Sequence, residues 1–212
     1  MICIVTRARG AAGSRERIAL VSRLAAAADA GATMIQVRER HLDDRALLAF
    51  VRELLDATRA TACAVSVNDR LDIVLATGAQ GVHLKSDGVS VSDVRRVAPP
   101  GLIVGRSVHS EAEAIATEAE GGCDYLFFGT VFPSASKPTD HPVAGSEGLR
   151  RVCDSVSLPV VAIGGVTTAR TAEVVRAGAA GVAAISLFVE AADVVRLVTS
   201  LHHALTGHQG RV

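Results

Sequence analysis

The segment Asp29–Arg38, DAGATMIQVR, ends a helix-like stretch at Gly31 and begins a β-type run immediately afterwards. Three later segments repeat this pattern: Ala76–Lys85 (ATGAQGVHLK), Glu120–Gly129 (EGGCDYLFFG) and Arg176–Ser186 (RAGAAGVAAIS). The shared glycines, Gly31, Gly78, Gly122 and Gly178, are 47, 44 and 56 positions apart. Each interval is roughly the length of two βα units, so the chain contains a repeat.

Further strand candidates lie between the repeats, at Ile2–Thr6, Cys63–Asn68, Leu102–Ser107 and Pro159–Ile163. These runs are continuously apolar, as strands buried on both faces of a parallel sheet must be. Helical patterns fill the gaps, notably at Asp43–Thr58, Glu111–Glu120 and Thr171–Ala177. Eight strands alternating with helices predict an α/β fold, a closed (βα)8 TIM barrel, as one domain over residues 1–206 with a tail at 207–212. The structural alternative is a doubly wound open sheet.

The composition is that of a globular protein with no electrostatic bias. Hydrophobic residues make up 49%, charged residues 21%, and the net charge is zero, so neither nucleic acid nor a membrane surface is an expected partner. The opening MICIVT lacks the features of a signal peptide, and we expect a cytoplasmic protein. The four cysteines are widely spaced among small or apolar residues and are expected to be reduced packing residues.

A barrel of this kind forms its active site at the C-terminal ends of its strands, so polar residues that follow the apolar runs should face one another. They are Gln36, Arg38, Asn68, Asp69, His83, Lys85, Ser107, Thr130, Gly164, Gly165 and Ser186. Cations, a carboxylate, hydroxyls and backbone amides in one mouth suit a phosphorylated substrate.

The motif IQVRER puts Gln36, Arg38 and Arg40 on one side of the second strand's end. Two guanidiniums aimed at one mouth can grip phosphate or diphosphate oxygens through forked hydrogen bonds. The alternative is a structural salt bridge at the barrel end, to Glu39 or Asp69.

The motif VNDR ends the third strand. Asp69 could bind Mg²⁺ and Asn68 a heteroaromatic ring, although Asn-Asp is also a common helix N-cap. After the fourth strand, Asp87 is either a second metal ligand or a solvated loop residue.

Two segments near the C-terminus predict an anion cradle. AIGGVTTA places Gly164 and Gly165 before a helix, and AAISLF ends the eighth strand at Ser186. Backbone amides at such positions are a recurrent phosphate site of this barrel class.

A long polar loop, VFPSASKPTDHPVAG (Val131–Gly145), follows the sixth strand. Lys137 could close on a leaving phosphate group, with Ser134 and Ser136 contacting the substrate; otherwise the segment is a solvated surface loop. Of two further polar residues, His109 is expected at a helix start and Arg106 in a surface ion pair.

Together the motifs IQVRER, NDR, GVHL, GRSVHS, FGTVFPSASK, AIGGVT and GVAAIS resemble the thiamine phosphate synthase and TenI superfamily, in order and across nearly the whole chain. The resemblance implies a transferase that joins a pyrimidine diphosphate to a thiazole phosphate with Mg²⁺. It places Gln36, Arg38, Asn68, Ser107, Ser134 and Ser136 around the pyrimidine, and Arg38, Arg40 and Lys137 on the diphosphate. It also places Asp69 on the metal, with Asp87 as the candidate for a second ligand, and Gly164, Gly165, Ile185 and Ser186 on the thiazole phosphate.

The chain departs from the synthase pattern in two places. Synthases usually read G-Q-x-D after GVHL, whereas here Lys85, Ser86 and Asp87 follow, which displaces the second aspartate by one position. The usual lysine of Q-x-R-E-K is Arg40. A thiazole phosphate tautomerase and a noncatalytic ligand-binding barrel are therefore alternatives, although the histidine that some tautomerases carry is Thr130 here. The chain could form a homo-oligomer.

Overall fold

The computed structural model describes residues 1–8, 10–134, 137–138 and 140–206. Its core is a closed barrel of eight parallel strands that neighbour one another in chain order. The strands are β1 (Ile2–Val5), β2 (Met34–Val37), β3 (Ala64–Asn68), β4 (Gly81–Leu84), β5 (Ile103–Val108), β6 (Tyr125–Phe128), β7 (Val160–Ile163) and β8 (Gly181–Ala184). Strands β1 and β8 pair and close the barrel. The predicted (βα)8 barrel is confirmed, and the open-sheet alternative is wrong.

Helices connect the strands. They are α1 (Arg15–Asp29), α2 (Asp44–Thr58), α3 (Leu71–Thr77), α4 (Val91–Val97), α5 (Glu111–Glu120), α6 (Gly145–Ser155), α7 (Thr168–Arg176), α8 (Ser186–Val189) and α9 (Val194–Thr206). Side chains cap several N-termini; Asp43, for example, accepts a hydrogen bond of 2.8 Å from the backbone N–H of Ala46. The predicted tail at 207–212 lies outside the described residues.

The apolar strands are buried on both faces, as their sequence predicts. One face packs against the helices, and the other fills the barrel lumen with Cys3, Met34, Tyr125, Phe127 and Val161 among others. Gly105 is required inside this lumen because a Cβ there would lie 2.1 Å from the Tyr125 ring. Large side chains therefore fill the base of the lumen, which leaves its upper part and its mouth for a ligand.

The remaining global expectations concern thiols and membranes. All four cysteines are free, and burial raises the pKa of each, which makes them poor nucleophiles. Across the described ranges, no helix combines the length and the apolar character needed to span a membrane.

Candidate active site

A pocket of about 540 Å³ opens at the C-terminal ends of β2, β3 and β4. It is lined by Val37, Arg38, Glu39, Arg40, Leu42, Leu47, Asn68, Asp69, Arg70, Lys85 and Asp87. Five residues predicted from the sequence to contact substrate or metal thus come from the ends of three strands into one cavity: Arg38, Arg40, Asn68, Asp69 and Asp87. Both cations and carboxylates line it, a combination that suits a metal-bound polyphosphate.

The two arginines after β2 do not form the structural salt bridge that was the alternative. Glu39 is buried and instead accepts hydrogen bonds from Thr6 Oγ1 at 2.5 Å and from the Ala8 N–H at 2.7 Å. Within the described part of the chain, neither Arg38 nor Arg40 pairs with a carboxylate. Burial lowers the pKa of Arg38, and the neighbouring Arg40 lowers it further, while Glu39 opposes them. Both guanidiniums can therefore bind an anionic ligand.

Asp69 follows β3 in a left-handed backbone conformation, with φ of 62°. Its N–H donates to the His83 carbonyl at 2.8 Å, which fixes it against β4, and its carboxylate contacts the Lys85 ammonium. Helix α3 has Arg70 at its N-cap and no side-chain capping bond. The N-cap alternative for Asn68 and Asp69 is therefore wrong, and both side chains belong to the pocket.

Polar groups also line the upper lumen below the pocket. Gln36 is only 2% exposed, and its Nε2 has no hydrogen-bond partner among the described residues. His83 Nε2 lies 2.9 Å from Ser107 Oγ, and His83 Nδ1 lies 3.0 Å from the Tyr125 hydroxyl. An unpaired buried amide is costly, so Gln36 is suited to bind a polar ligand atom that enters the lumen.

On the opposite side of the mouth, the turn after β7 packs against the loop after β6. The Phe132 N–H donates to the Gly164 carbonyl at 3.0 Å, and the Val131 N–H donates to Ile163 at the same distance. The Arg170 guanidinium donates to the Gly165 carbonyl at 2.8 Å and stacks over the Phe132 ring at 4.7 Å. These contacts hold the predicted phosphate cradle beside the predicted lysine loop.

The loop after β6 carries the predicted diphosphate lysine. Lys137 is exposed, and its N–H donates to the Ser134 carbonyl at 3.0 Å. The loop returns to the barrel where the Ala144 N–H donates to the Thr130 carbonyl, and His141 Nε2 lies 3.2 Å from Thr130 Oγ1. Ser136, also predicted to contact substrate, lies outside the described residues.

Ile185 and Ser186 follow β8 and are half-buried at the start of α8. The Arg23 guanidinium donates to the Phe188 carbonyl at 2.9 Å, which fixes this short helix against α1. Since β7 and β8 are neighbours in a parallel barrel, both residues lie on the same side of the mouth as the Gly164–Gly165 turn.

Most of the chain matches one protein family. The model for that family, described as thiamine monophosphate synthase, matches residues 3–188. The chain belongs to the thiamine monophosphate synthase family. The resemblance predicted from the motifs is confirmed.

Individual members of the thiamine monophosphate synthase family are similar over most of their length. A thiamine-phosphate synthase from Methanoculleus marisnigri is 42% identical over 85% of this chain and 84% of its own. One from Roseiflexus castenholzii is 41% identical over 91% and 82%. A solved thiamine phosphate pyrophosphorylase from Pyrococcus furiosus superposes with a TM-score of 0.84 at 34% identity, covering 99% of this chain and 96% of that one. The predicted transferase of thiamine biosynthesis, of the thiamine phosphate synthase type, is thereby confirmed.

The structure also gives the contacts of Arg106 and His109, two polar residues whose roles were predicted from the sequence. Arg106 was expected in a surface ion pair, which is wrong: its guanidinium donates to the Ser86 carbonyl at 2.8 Å and to the Val89 carbonyl at 3.1 Å. It therefore holds the loop after β4. His109 does precede α5, where Ser110 is the N-cap, and its Nδ1 lies 2.5 Å from the Gly129 carbonyl.

We predict that His83 makes the protein sensitive to acid. Burial lowers its pKa to about 3, although the Asp69 charge raises it. Below about pH 6.5, His83 is protonated in the unfolded chain but not in the folded chain. The stability that the protein has above pH 6.5 is therefore lost progressively as the pH falls toward 3. As the pH falls, the free energy of unfolding should decrease faster in wild type than in His83→Gln. The difference between the two slopes should be up to about 1.4 kcal/mol per pH unit. Urea unfolding of both proteins at pH 7, 6 and 5 measures this; parallel pH profiles would contradict it.

Proposed function

We propose that the chain condenses a hydroxymethylpyrimidine diphosphate with a thiazole phosphate to give thiamine phosphate and diphosphate. The observation that supports it most is the shared pocket of Arg38, Arg40, Asn68, Asp69 and Asp87 at the mouth of the barrel. The bond from the pyrimidine methylene carbon to the diphosphate oxygen breaks, and its electron pair leaves with the diphosphate. The thiazole nitrogen then donates its lone pair to the cation-like methylene carbon, and the positive charge passes to the ring.

Charge stabilisation is the main demand of this reaction, because negative charge grows on the departing diphosphate. Arg38 and Arg40 supply forked donors that retain no carboxylate partner in the described ranges, and Lys137 supplies an ammonium from the loop after β6. None of these steps requires a proton to move. This agrees with a site rich in cations, since Arg38, Arg40, Arg70 and Lys85 all line the pocket.

The acidic residues of the pocket fit a magnesium ion. Mg²⁺ is commonly bound by one or two carboxylates together with substrate phosphates and water, and Asp69 and Asp87 line the same cavity as the arginines. Among the described residues, no cluster of three or more His, Cys, Asp or Glu could hold a metal, so the remaining ligands would come from the diphosphate. When bound, Mg²⁺ would neutralise the leaving group.

The pyrimidine ring would enter the upper lumen. Gln36 offers its unpaired buried amide there, Asn68 is the last residue of β3, and Ser107 lies near the C-terminal end of β5. Ser134 and Ser136 are proposed to approach from the loop after β6. The His83 imidazole on Ser107 Oγ orients that hydroxyl for a ring substituent.

The thiazole phosphate would lie on the β7–β8 side. The Gly164–Gly165 turn allows backbone amides to approach an anion closely, and helix α7 begins just beyond it at Thr168. Ile185 and Ser186 complete this side at the end of β8. Both substrates would thus meet over the lumen axis, with the diphosphate on the β2–β4 side.

Formation of thiamine phosphate from the two purified substrates tests the proposal. We expect stoichiometric release of diphosphate that requires both substrates and Mg²⁺. Omitting the thiazole phosphate serves as the control for simple hydrolysis of the pyrimidine diphosphate. Folded protein that releases no diphosphate in the complete mixture would contradict the proposed function. The expected cytoplasmic location and homo-oligomer stay predictions.

Lys137 should matter for turnover and not for folding. The side chain is exposed, so a Lys137→Ala variant should unfold within about 1 °C of wild type. Loss of one cation from the leaving-group site should lower kcat by about a hundred-fold. Steady-state kinetics and thermal unfolding measure the two effects; a lowered melting temperature with normal kcat would show that the loop is structural.

A further inference from the structure

Lysine is rare in this chain and is confined to the barrel mouth. Only Lys85 and Lys137 occur among 22 basic residues, and each lies in a loop that follows a strand's C-terminal end. The Lys85 ammonium contacts the Asp69 carboxylate inside the main pocket, and the Lys85 N–H lies 3.4 Å from Asp69 Oδ1. Asp69 is the same carboxylate that would ligate the metal. The ammonium therefore stands where a divalent cation would bind.

The loop after β4 is shaped to hold Lys85 in this place. The Gly88 N–H donates to the Lys85 carbonyl at 3.2 Å, which closes a turn in the loop. A Cβ on Gly88 would lie 2.9 Å from Asp69 Oδ1, so glycine permits the close approach. From outside, Arg106 binds two carbonyls of the same loop, those of Ser86 and Val89. The contact between Lys85 and Asp69 is thus supported by two features of the loop, the glycine at position 88 and the Arg106 guanidinium that binds two of its carbonyls.

We propose that Lys85 is a resident cation of the diphosphate subsite, positioned by Asp69, and that it competes with the metal for that carboxylate. The inference rests on the proposed function and deepens it. An ammonium with 46% of its side chain exposed can leave one carboxylate for a phosphate oxygen without leaving the pocket. Diphosphate carries more negative charge than Asp69, so ligand binding draws Lys85 onto the ligand and frees Asp69 for Mg²⁺.

A Lys85→Gln variant tests the competition with two measurements that should change in opposite directions. Substrate-free protein is titrated with Mn²⁺, a spectroscopic substitute for Mg²⁺, and free Mn²⁺ is counted by electron paramagnetic resonance. Loss of the competing charge should tighten Mn²⁺ binding on the order of ten-fold. Inorganic diphosphate is then titrated by calorimetry at saturating Mg²⁺, where its affinity should fall about ten-fold. A merely structural role for Lys85 would weaken both.

Two further variants sharpen the test. Lys85→Arg keeps the charge and should return both affinities toward wild type. Arg150→Gln removes one cation from the exposed surface of α6 and should change neither. Mn²⁺ binding that is not tighter in Lys85→Gln, or diphosphate binding that is not weaker, overturns the inference. That result would leave the proposed function intact if wild type forms thiamine phosphate, whereas failure of the wild-type assay would count against the proposed function itself.

Discussion

An Arg38→Gln variant should form thiamine phosphate with a kcat/KM about a thousand-fold below wild type, at an unchanged melting temperature. Removal of one donor that stabilises transition-state charge typically costs 10²–10³ in rate, and Arg38 would contact both the pyrimidine and the diphosphate. The side chain of Arg38 is half-buried beside Arg40. Burial and repulsion by Arg40 both disfavour its charged form, as its lowered pKa indicates. A residue that costs stability in the empty protein should not destabilise it when neutralised. Steady-state kinetics and thermal unfolding measure both quantities.

Two controls separate the role of Arg38 from a general loss of charge. Arg45→Gln neutralises an exposed guanidinium in the first turn of α2 and should leave the kinetics unchanged. Arg38→Lys keeps the charge but loses the planar fork, so it should recover only part of the rate. If Arg38→Gln and Arg45→Gln have equal kcat/KM, Arg38 takes no part in diphosphate binding.

The barrel could be predicted from the sequence because both faces of its strands are buried. Runs such as Val160–Ile163 are apolar throughout, and the spacing of the repeats then leaves few topologies. The predicted ends of the helices were less accurate than the predicted fold. Helix α7 was expected from Thr171 and begins at Thr168, because the Thr167 side chain caps it by accepting from the Arg170 N–H. The only sequence signal for this helix start is the Thr167 hydroxyl, and it is hard to recognise in a stretch of small residues.

The pocket was predictable for the same geometric reason. Residues that directly follow a strand must lie at the barrel mouth, so Arg38, Asp69 and Asp87 could be brought together without coordinates. What each carboxylate contacts could not be predicted. Glu39 is adjacent to two arginines in sequence, yet it accepts hydrogen bonds from Thr6 and Ala8 in the segment that follows the neighbouring strand β1. Such partners depend on where separate loops cross.

The contact between Lys85 and Asp69 shows the same limit. The sequence indicates a lysine and an aspartate after neighbouring strands, but their contact depends on the bend at Gly88 and on Arg106 behind the loop. Arg106 itself was expected in an ion pair because its carbonyl partners carry no signal in a sequence. In place of the usual G-Q-x-D, this chain has Lys85, Ser86 and Asp87 after GVHL. The effect of that difference can be interpreted only when the conformation of the loop is known.

A Gly165→Ala variant should lose about a hundred-fold in kcat/KM for the thiazole phosphate and should also be less stable. Gly165 has φ of 61°, and a Cβ there would lie 2.3 Å from the Pro133 carbonyl oxygen and 2.6 Å from that of Phe132. Both obstacles are backbone atoms, so either the turn after β7 or the loop after β6 must move. A displacement of about 1 Å in a substrate-positioning segment can cost roughly 10² in rate. Steady-state kinetics with varied thiazole phosphate measures the effect.

The chain contains a matched control for the backbone strain at this position. Gly78 has φ of 76° at the C-terminus of α3, and a Cβ there would meet nothing within 4 Å. Gly78→Ala therefore introduces the left-handed strain alone, about 1–2 kcal/mol, and should leave the kinetics unchanged. Gly165→Ala should lose about 1–3 kcal/mol more in urea unfolding, because of the collision with the loop. Equal losses in the two variants would contradict the predicted collision between a side chain at position 165 and the loop after β6.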